Sequence, residues 1–148
     1  GKTADIAMCT AVLDSLRARD ILSEAEYKVV SAEHIAKFFT SRLGQRMLNS
    51  PRIEREFPIF AEVPACDIML DQPGNTIIQG RADMFFVEDG KIVLVDYKSD
   101  SAKSLEAELD AYIRQLSIYR TVLPIVTGLE VKEIYLYSFS GDKEILVE

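Results

Sequence analysis

Two aspartates and a lysine carry the chemistry that this chain advertises. Gly80 to Asp100 reads GRADMFFVEDGKIVLVDYKSD, with Asp83 on one apolar run and Asp96 and Lys98 on the next. Between them, Glu88-Asp89-Gly90-Lys91 is a hairpin signal. If Asp89-Gly90 is a two-residue loop, Glu88 faces Lys91, Asp83 faces Asp96, and Arg81 faces Lys98. Side chains alternate along a strand, so Asp83, Asp96 and Lys98 then share one face. A type I turn with Gly90 as a bulge would shift the register by one residue and send Asp83 to the other face.

Like charges directly opposite each other destabilise a strand pair, so the repulsion of two aspartates calls for an offset. A divalent cation is the simplest one. Hydrolysis of a phosphodiester needs a metal to polarise the phosphoryl oxygen and activate water. It needs hard oxygen ligands with open positions, which suits Mg²⁺ or Mn²⁺. It also needs a cation against the charge that builds on the transferring group. Asp83 and Asp96 offer the ligands, the backbone carbonyl of Tyr97 offers a third, and Lys98 offers the cation. A structural ion pair of Lys98 with Asp96 or Asp83 is the competing reading, and spacing alone leaves both open. A plain surface hairpin fits poorly, because both strands read as buried apart from these polar residues.

Elements that must position this hairpin can be read on either side of it. Residues 3–19 follow helical spacing, with Ile6, Cys9, Leu13 and Leu16 inward. Ser23 caps a second helix, with Glu26 completing a capping box. Ser31 to Asn49 reads as a helix with Ile35, Phe38, Phe39 and Leu43 inward, Gly44 as a possible break and Pro51 as its stop. Ile53–Phe60 contains Pro58 and reads as an edge or bent strand, and Pro64–Leu70 as a weaker one. Asp71 to Asn75 is a turn before the hairpin strands Ile77–Val87 and Lys91–Tyr97. The apolar run Ile92-Val93-Leu94-Val95 implies burial on both faces. Ser104–Leu123 is the strongest helix, with Leu105, Leu109, Tyr112, Leu116 and Tyr119 on one face and Pro124 as its end. A last strand runs Val131–Phe139, followed by a hairpin at Gly141-Asp142. The fold class is α/β, a mixed central sheet with flanking helices. One domain is expected over 1–148, with a helical part at 1–50 and a sheet and crossover-helix core at 51–148.

Bulk composition narrows the function. The chain has 148 residues, 48% hydrophobic and 28% charged, which is ordinary for a globular domain with a real core. No run is long enough for a membrane span, and no signal peptide is visible. Cys9 and Cys66 are too few for an iron–sulfur cluster or a disulfide framework and read as reduced core thiols in a cytoplasmic setting. A net charge of −7 argues against a free-standing nucleic-acid binder, though not against a module whose partners supply the basic track. No G-x-x-x-x-G-K-[ST] phosphate loop occurs. Starting at Gly1, the chain is expected to be a piece of something longer.

Gly80-Arg81-Ala82-Asp83, then Asp96-Tyr97-Lys98, then Gln115-Leu116-Ser117-Ile118-Tyr119 form an ordered set. It resembles the RecB-type nuclease domain of the PD-(D/E)xK superfamily, whose pattern is an Asp after a glycine, then D-x-K, then Q-x-x-x-Y. The run through Arg55-Glu56-Phe57-Pro58, the stretch Ile35-Ala36-Lys37-Phe38-Phe39 and Asp96-Tyr97-Lys98-Ser99-Asp100 are similar to C-terminal nuclease domains of AddA-type helicase–nucleases. The resemblance implies a restriction-endonuclease-like fold, metal ligands at Asp83 and Asp96, and a catalytic Lys98. It implies that Gln115 and Tyr119, one helical turn apart, flank the site and hold DNA or the lysine. It also places an acid at Glu56 that reaches the metal through water, against a plain Arg55–Glu56 surface pair. The parent it implies is an ATP-dependent helicase–nuclease that processes double-strand DNA ends for recombinational repair. Its partners are DNA, the helicase domains of the same chain and a second helicase–nuclease subunit. Family members carry a metal-binding histidine in a G-T-x-x-H segment. The one histidine here, His34, stands in Glu33-His34-Ile35 outside that pattern, so the segment is expected upstream of Gly1. A nuclease fold that has lost catalysis and serves as a docking module is the main rival. A junction-resolving or restriction-like enzyme is the second, and a carbohydrate or peptide hydrolase would leave Lys98, Gln115 and Tyr119 unexplained.

Overall fold

The computed structural model describes residues 5–29, 31–68, 70–98, 102–139 and 141–147. The chain divides into two compact units, Gly1–Asn49 and Ser50–Glu148.

The first unit is helical. Helix α1 (Ile6–Ala18) starts at Asp5, whose carboxylate accepts the Met8 N–H at 2.8 Å. It buries Cys9 and Leu13, but Ile6 is 51% exposed, because a groove lined with Glu33, Ala36 and Lys37 leaves that end of the stripe open. Helix α2 is Glu24–Val29, and the side chain of Glu26, expected in its capping box, lies outside the described residues.

The helix expected over Ser31–Asn49 is two helices, α3 (Ala32–Thr40) and α4 (Arg42–Leu48). The break falls at Ser41, not Gly44. The Ser41 backbone is extended, its hydroxyl donates to the Phe38 carbonyl at 2.6 Å, and its oxygen accepts the Gly44 N–H at 3.0 Å. One side chain thus satisfies the end of α3 and the start of α4. Gly44 serves a different purpose, because a Cβ there would stand 2.0 Å from the Phe38 carbonyl oxygen. Backbone atoms cannot give way as a flexible side chain can. Gly44→Ala is therefore expected to cost about 3 kcal/mol, at the upper end of overpacking effects, read as a lowered denaturation midpoint of the full chain.

The second unit is a five-stranded sheet in the order β1-β2-β3-β4-β5. The strands are β1 (Ile53–Pro64), β2 (Asn75–Glu88), β3 (Lys91–Lys98), β4 (Val131–Ser138) and β5 (Lys143–Leu146). All neighbours are antiparallel except β3 and β4, which are parallel and joined by helix α5 (Ala102–Thr127). The segment Pro64–Leu70 is not a separate strand. Pro64 ends β1, and Ala65–Ile68 forms a 3₁₀ turn with Ala65 and Ile68 buried. Cys66 consequently points out and is exposed, against the expectation of a core thiol, whereas Cys9 is buried. Pro58 is tolerated because β1 is an edge strand.

Helix α5 packs Leu105, Leu116, Val122 and Leu123 against Ile59, Ala61, Phe85, Leu94, Ile134 and Leu136 of the sheet. It does not end at Pro124. A proline removes one ladder bond and its ring crowds the carbonyl four residues back, but the last turn is held by the Thr127 hydroxyl on the Leu123 carbonyl at 2.6 Å and by Val126 on the core. Gly128, at φ 75°, ends it. Ile92, Val93, Leu94 and Val95 are all buried, so both faces of β3 are covered. Among the described residues no helix is long and apolar enough to cross a membrane.

Candidate active site

The hairpin that carries the acids closes with Asp89 at φ 54° and Gly90 at φ 73°, the two left-handed residues of a type I′ turn. Glu88 pairs with Lys91 and the ladder runs to Met84 opposite Val95. Lys132 of β4 pins the turn, bonding Glu88 at 2.9 Å and Asp89 at 3.0 Å.

Beyond Met84 the two strands part. β2 stays on β1, pairing Arg81 with Pro58, and the backbone position opposite Asp96 is left to the Asp83 side chain. Its Oδ2 accepts the Tyr97 N–H at 3.0 Å, and it lies within hydrogen-bonding reach of Asp96. The two aspartates do meet, on the face that Leu94 and Phe85 give to α5. Arg81 does not come opposite Lys98, because β2 has left β3 by that point. An extended residue presents its N–H and C=O to the same neighbouring strand, so the Tyr97 carbonyl faces the gap that Asp83 fills.

The parting of the strands has a counterpart on β1. Pairing lapses between Arg55–Met84 and Phe57–Ala82, and Glu56 there stands at φ 49°. A left-handed glutamate inside a strand costs of the order of 1–2 kcal/mol. The same core cluster takes Ala82 and then Phe85 from β2, so the alternation changes phase across Asp83. Asp83 keeps the alternation of Phe85, two residues on, and so shares the face of Asp96. The Glu56 carboxylate itself is mostly exposed and pairs with Arg81 at 3.7 Å; among the described residues no ion pair joins it to Arg55 and no hydrogen bond ties it to the aspartate pair.

Burial, more than anything else, pushes the Asp96 carboxyl up to about 6, and the hydrogen bond and charge of Asp83 add to it. Lys98 opposes the shift with Nζ 3.1 Å from Asp96 Oδ2, so the structural ion pair left open by the spacing is present. It does not cancel the crowding of two acids. Two apposed carboxylates whose charge is only partly offset fit a hard divalent cation. Among the described residues no group of three or more His, Cys, Asp or Glu side chains converges, so its other ligands would be backbone, water or phosphate oxygens. His34 lies half-buried on α3 in the helical unit.

Helix α5 supplies the far wall. Tyr119 donates to the Arg81 carbonyl at 3.3 Å, and burial followed by the charges of Asp96 and Asp83 raises its hydroxyl's pKa. Gly80 gives that ring room, since a Cβ there would lie 3.3 Å from the Tyr119 oxygen. Gln115 is exposed on the same helix. A residue that spacing assigned only to the apolar stripe also belongs here: the Tyr112 ring centroid lies 4.0 Å from Lys98 Nζ. Aromatic spacing on a helix gave no hint of it, because stripe and site share one face.

The model of the PD-(D/E)XK nuclease superfamily matches residues 2–143. The chain belongs to that superfamily. Among its relatives, an ATP-dependent helicase/nuclease subunit of Clostridium acetobutylicum is 38% identical over 143 residues, covering 92% of this chain and 11% of the relative. The protein of the same name from Clostridium perfringens is 40% identical over 141 residues, covering 87% and 11%. That from Clostridium botulinum is 37% identical over 142 residues, covering 92% and 11%. The chain thus spans about a tenth of the length of the curated relatives it matches. It is a PD-(D/E)XK nuclease domain homologous to helicase/nuclease subunits, and its five-stranded mixed sheet with flanking helices is the restriction-endonuclease-like architecture.

Proposed function

We propose that residues 1–148 form one metal-dependent DNA exonuclease domain of a larger ATP-dependent helicase–nuclease that processes double-strand DNA ends for recombinational repair. The observation that carries the reading is the meeting of Asp83 and Asp96 on one sheet face with Lys98 Nζ 3.1 Å from Asp96. The relatives' name supports the parent activity, helicase domains in the same chain and a second subunit. Two free cysteines suit a cytoplasmic setting.

Asp83, Asp96 and the Tyr97 carbonyl would hold Mg²⁺ or Mn²⁺. When bound, the ion supplies a Lewis acid for the scissile phosphate and acidifies water beside it. Lys98 places its ammonium where charge builds on the transferring phosphoryl group. The Asp83–Tyr97 hydrogen bond fixes the first carboxylate against β3. Tyr119 ties α5 to β2 through the Arg81 carbonyl, and exposed Gln115, one turn away, contacts the DNA strand. Glu56, paired with Arg81 at 3.7 Å, would reach the ion only through water. A net charge of −7 suits a module fed single strand by motor domains rather than one that finds DNA alone.

The Lys98–Asp96 ion pair favours one other reading, a nuclease fold kept as a docking module with the site closed by its own lysine. Calorimetry with Mn²⁺ separates them. The nuclease reading expects saturable binding to the full-length protein that disappears in Asp96→Ala; absence of binding to the unmodified protein supports the docking module.

A further inference from the structure

We propose that Tyr112 is the positioning residue for Lys98, its ring face holding the ammonium beside Asp96 at the scissile phosphate. The inference rests on the role of Lys98 proposed above. Nζ stands 4.0 Å from the Tyr112 centroid and 3.1 Å from Asp96 Oδ2, so the lysine is held between a ring and a carboxylate. The lysine side chain is only 20% exposed, and desolvation strengthens attraction to the ring quadrupole. Tyr112 is itself fixed, donating its hydroxyl to Glu108 at 2.9 Å one helical turn back.

The two holders differ in kind. A carboxylate holds an ammonium by neutralising it, and Asp96 is also claimed by the cation of the proposed site. A ring face holds the ammonium while leaving its charge uncancelled and its N–H donors free for the substrate. A lysine stem has four torsions to fix, and their entropy is lost at each turnover unless something fixes them beforehand. Tyr112 fixes them from a rigid helix that packs on the sheet beneath the site.

The test compares Tyr112→Phe, which keeps the ring and loses only the hydroxyl, with Tyr112→Leu, which keeps apolar bulk and loses the ring. In the full chain labelled with ¹³C-lysine, the Lys98 ε-methylene resonance, assigned by its loss in Lys98→Arg, is expected upfield of the other lysines. The shift persists in Tyr112→Phe and vanishes in Tyr112→Leu. In cleavage of a single-stranded oligonucleotide with Mn²⁺, Tyr112→Leu is expected to lower kcat about tenfold with KM within about twofold, while Tyr112→Phe stays near wild type. If Tyr112→Leu does not fold, Tyr112→pentafluorophenylalanine keeps the shape, reverses the ring's charge pattern and carries the same expectation. An unshifted Lys98 resonance in the wild type overturns the contact. Wild-type kcat in Tyr112→Leu, with Lys98→Ala inactive, overturns the positioning role and leaves the nuclease reading standing. Wild-type cleavage by Lys98→Ala overturns the nuclease role of Lys98 instead. A loss in Tyr112→Phe as large as in Tyr112→Leu assigns the effect to the Glu108 hydrogen bond and also overturns the proposal.

Discussion

Lys98→Ala is expected to abolish cleavage and to leave Mn²⁺ binding intact. The lysine carries no ligand atom for a cation; its ammonium instead stands 3.1 Å from an oxygen that would ligate one. Removing it takes away a competitor for Asp96, so the dissociation constant for Mn²⁺ should stay the same or fall. Loss of a preorganised charge at a developing anion costs about 10²–10³ in kcat. Asp83→Ala and Asp96→Ala should lose binding and cleavage together. The measurement is paired calorimetry and oligonucleotide cleavage on the same preparations of the full-length protein. Cleavage by Lys98→Ala at the wild-type rate would make the lysine a structural counter-ion only. Lys98→Arg is a sharper probe of geometry, because a planar guanidinium cannot reproduce a compact ammonium between a ring and a carboxylate. It should bind Mn²⁺ and cleave poorly.

How much of this could be read beforehand depended on how local the cause was. The Asp89-Gly90 turn was legible because two left-handed residues in sequence have few other uses, and the register followed from it. Alternation then put Asp96 and Lys98 on one face. The limit of that logic was the point at which β2 leaves β3. Extending the ladder predicted Arg81 opposite Lys98, but the strands part after Met84–Val95, and the pairing lapse at left-handed Glu56 that accompanies it has no sequence signal. Ser41 beat Gly44 as a helix break because a hydroxyl with two partners ends one helix and starts another, whereas Gly44 is explained by the nearby Phe38 carbonyl. Pro124 failed as a stop because core packing of Val126 outweighs one lost hydrogen bond. The ordered Asp, D-x-K and Q-x-x-x-Y set was legible as a family pattern, and the superfamily match agrees with it. Tyr112 was not, because nothing in a stripe of core-facing residues says which of them also meets a lysine.

Asp96→Asn is expected to disable the site and yet stabilise the metal-free protein. Folding raises the Asp96 carboxyl from 3.8 to about 6, so the native state holds a proton more tightly than the unfolded chain does. Between those values the native state binds more protons, and stability falls as pH rises from about 4 to about 6 at up to about 1.4 kcal/mol per pH unit. The upward shift already includes the help of Lys98, which means that burial and Asp83 outweigh the ion pair. A neutral amide of nearly the same shape escapes that penalty. With the carboxylate 17% exposed and partly screened, Asp96→Asn should gain about 1–2 kcal/mol at pH 8 in EDTA. The gain should shrink as pH falls through about 4 and fade below it, as the wild-type carboxyl becomes protonated in both states. Saturating Mn²⁺ should reverse the order, since at a hundred times its dissociation constant a ligand adds about 2.7 kcal/mol to the protein that binds it and nothing to the one that does not. Urea denaturation of both proteins at pH 4 and pH 8, with EDTA and with Mn²⁺, reads the four differences between variant and wild type. A variant less stable than wild type at pH 8 in EDTA would mean that the pair with Lys98 outweighs the repulsion. Asp96 would then be a structural anchor, and the case for a cation between the two acids would lose its physical ground.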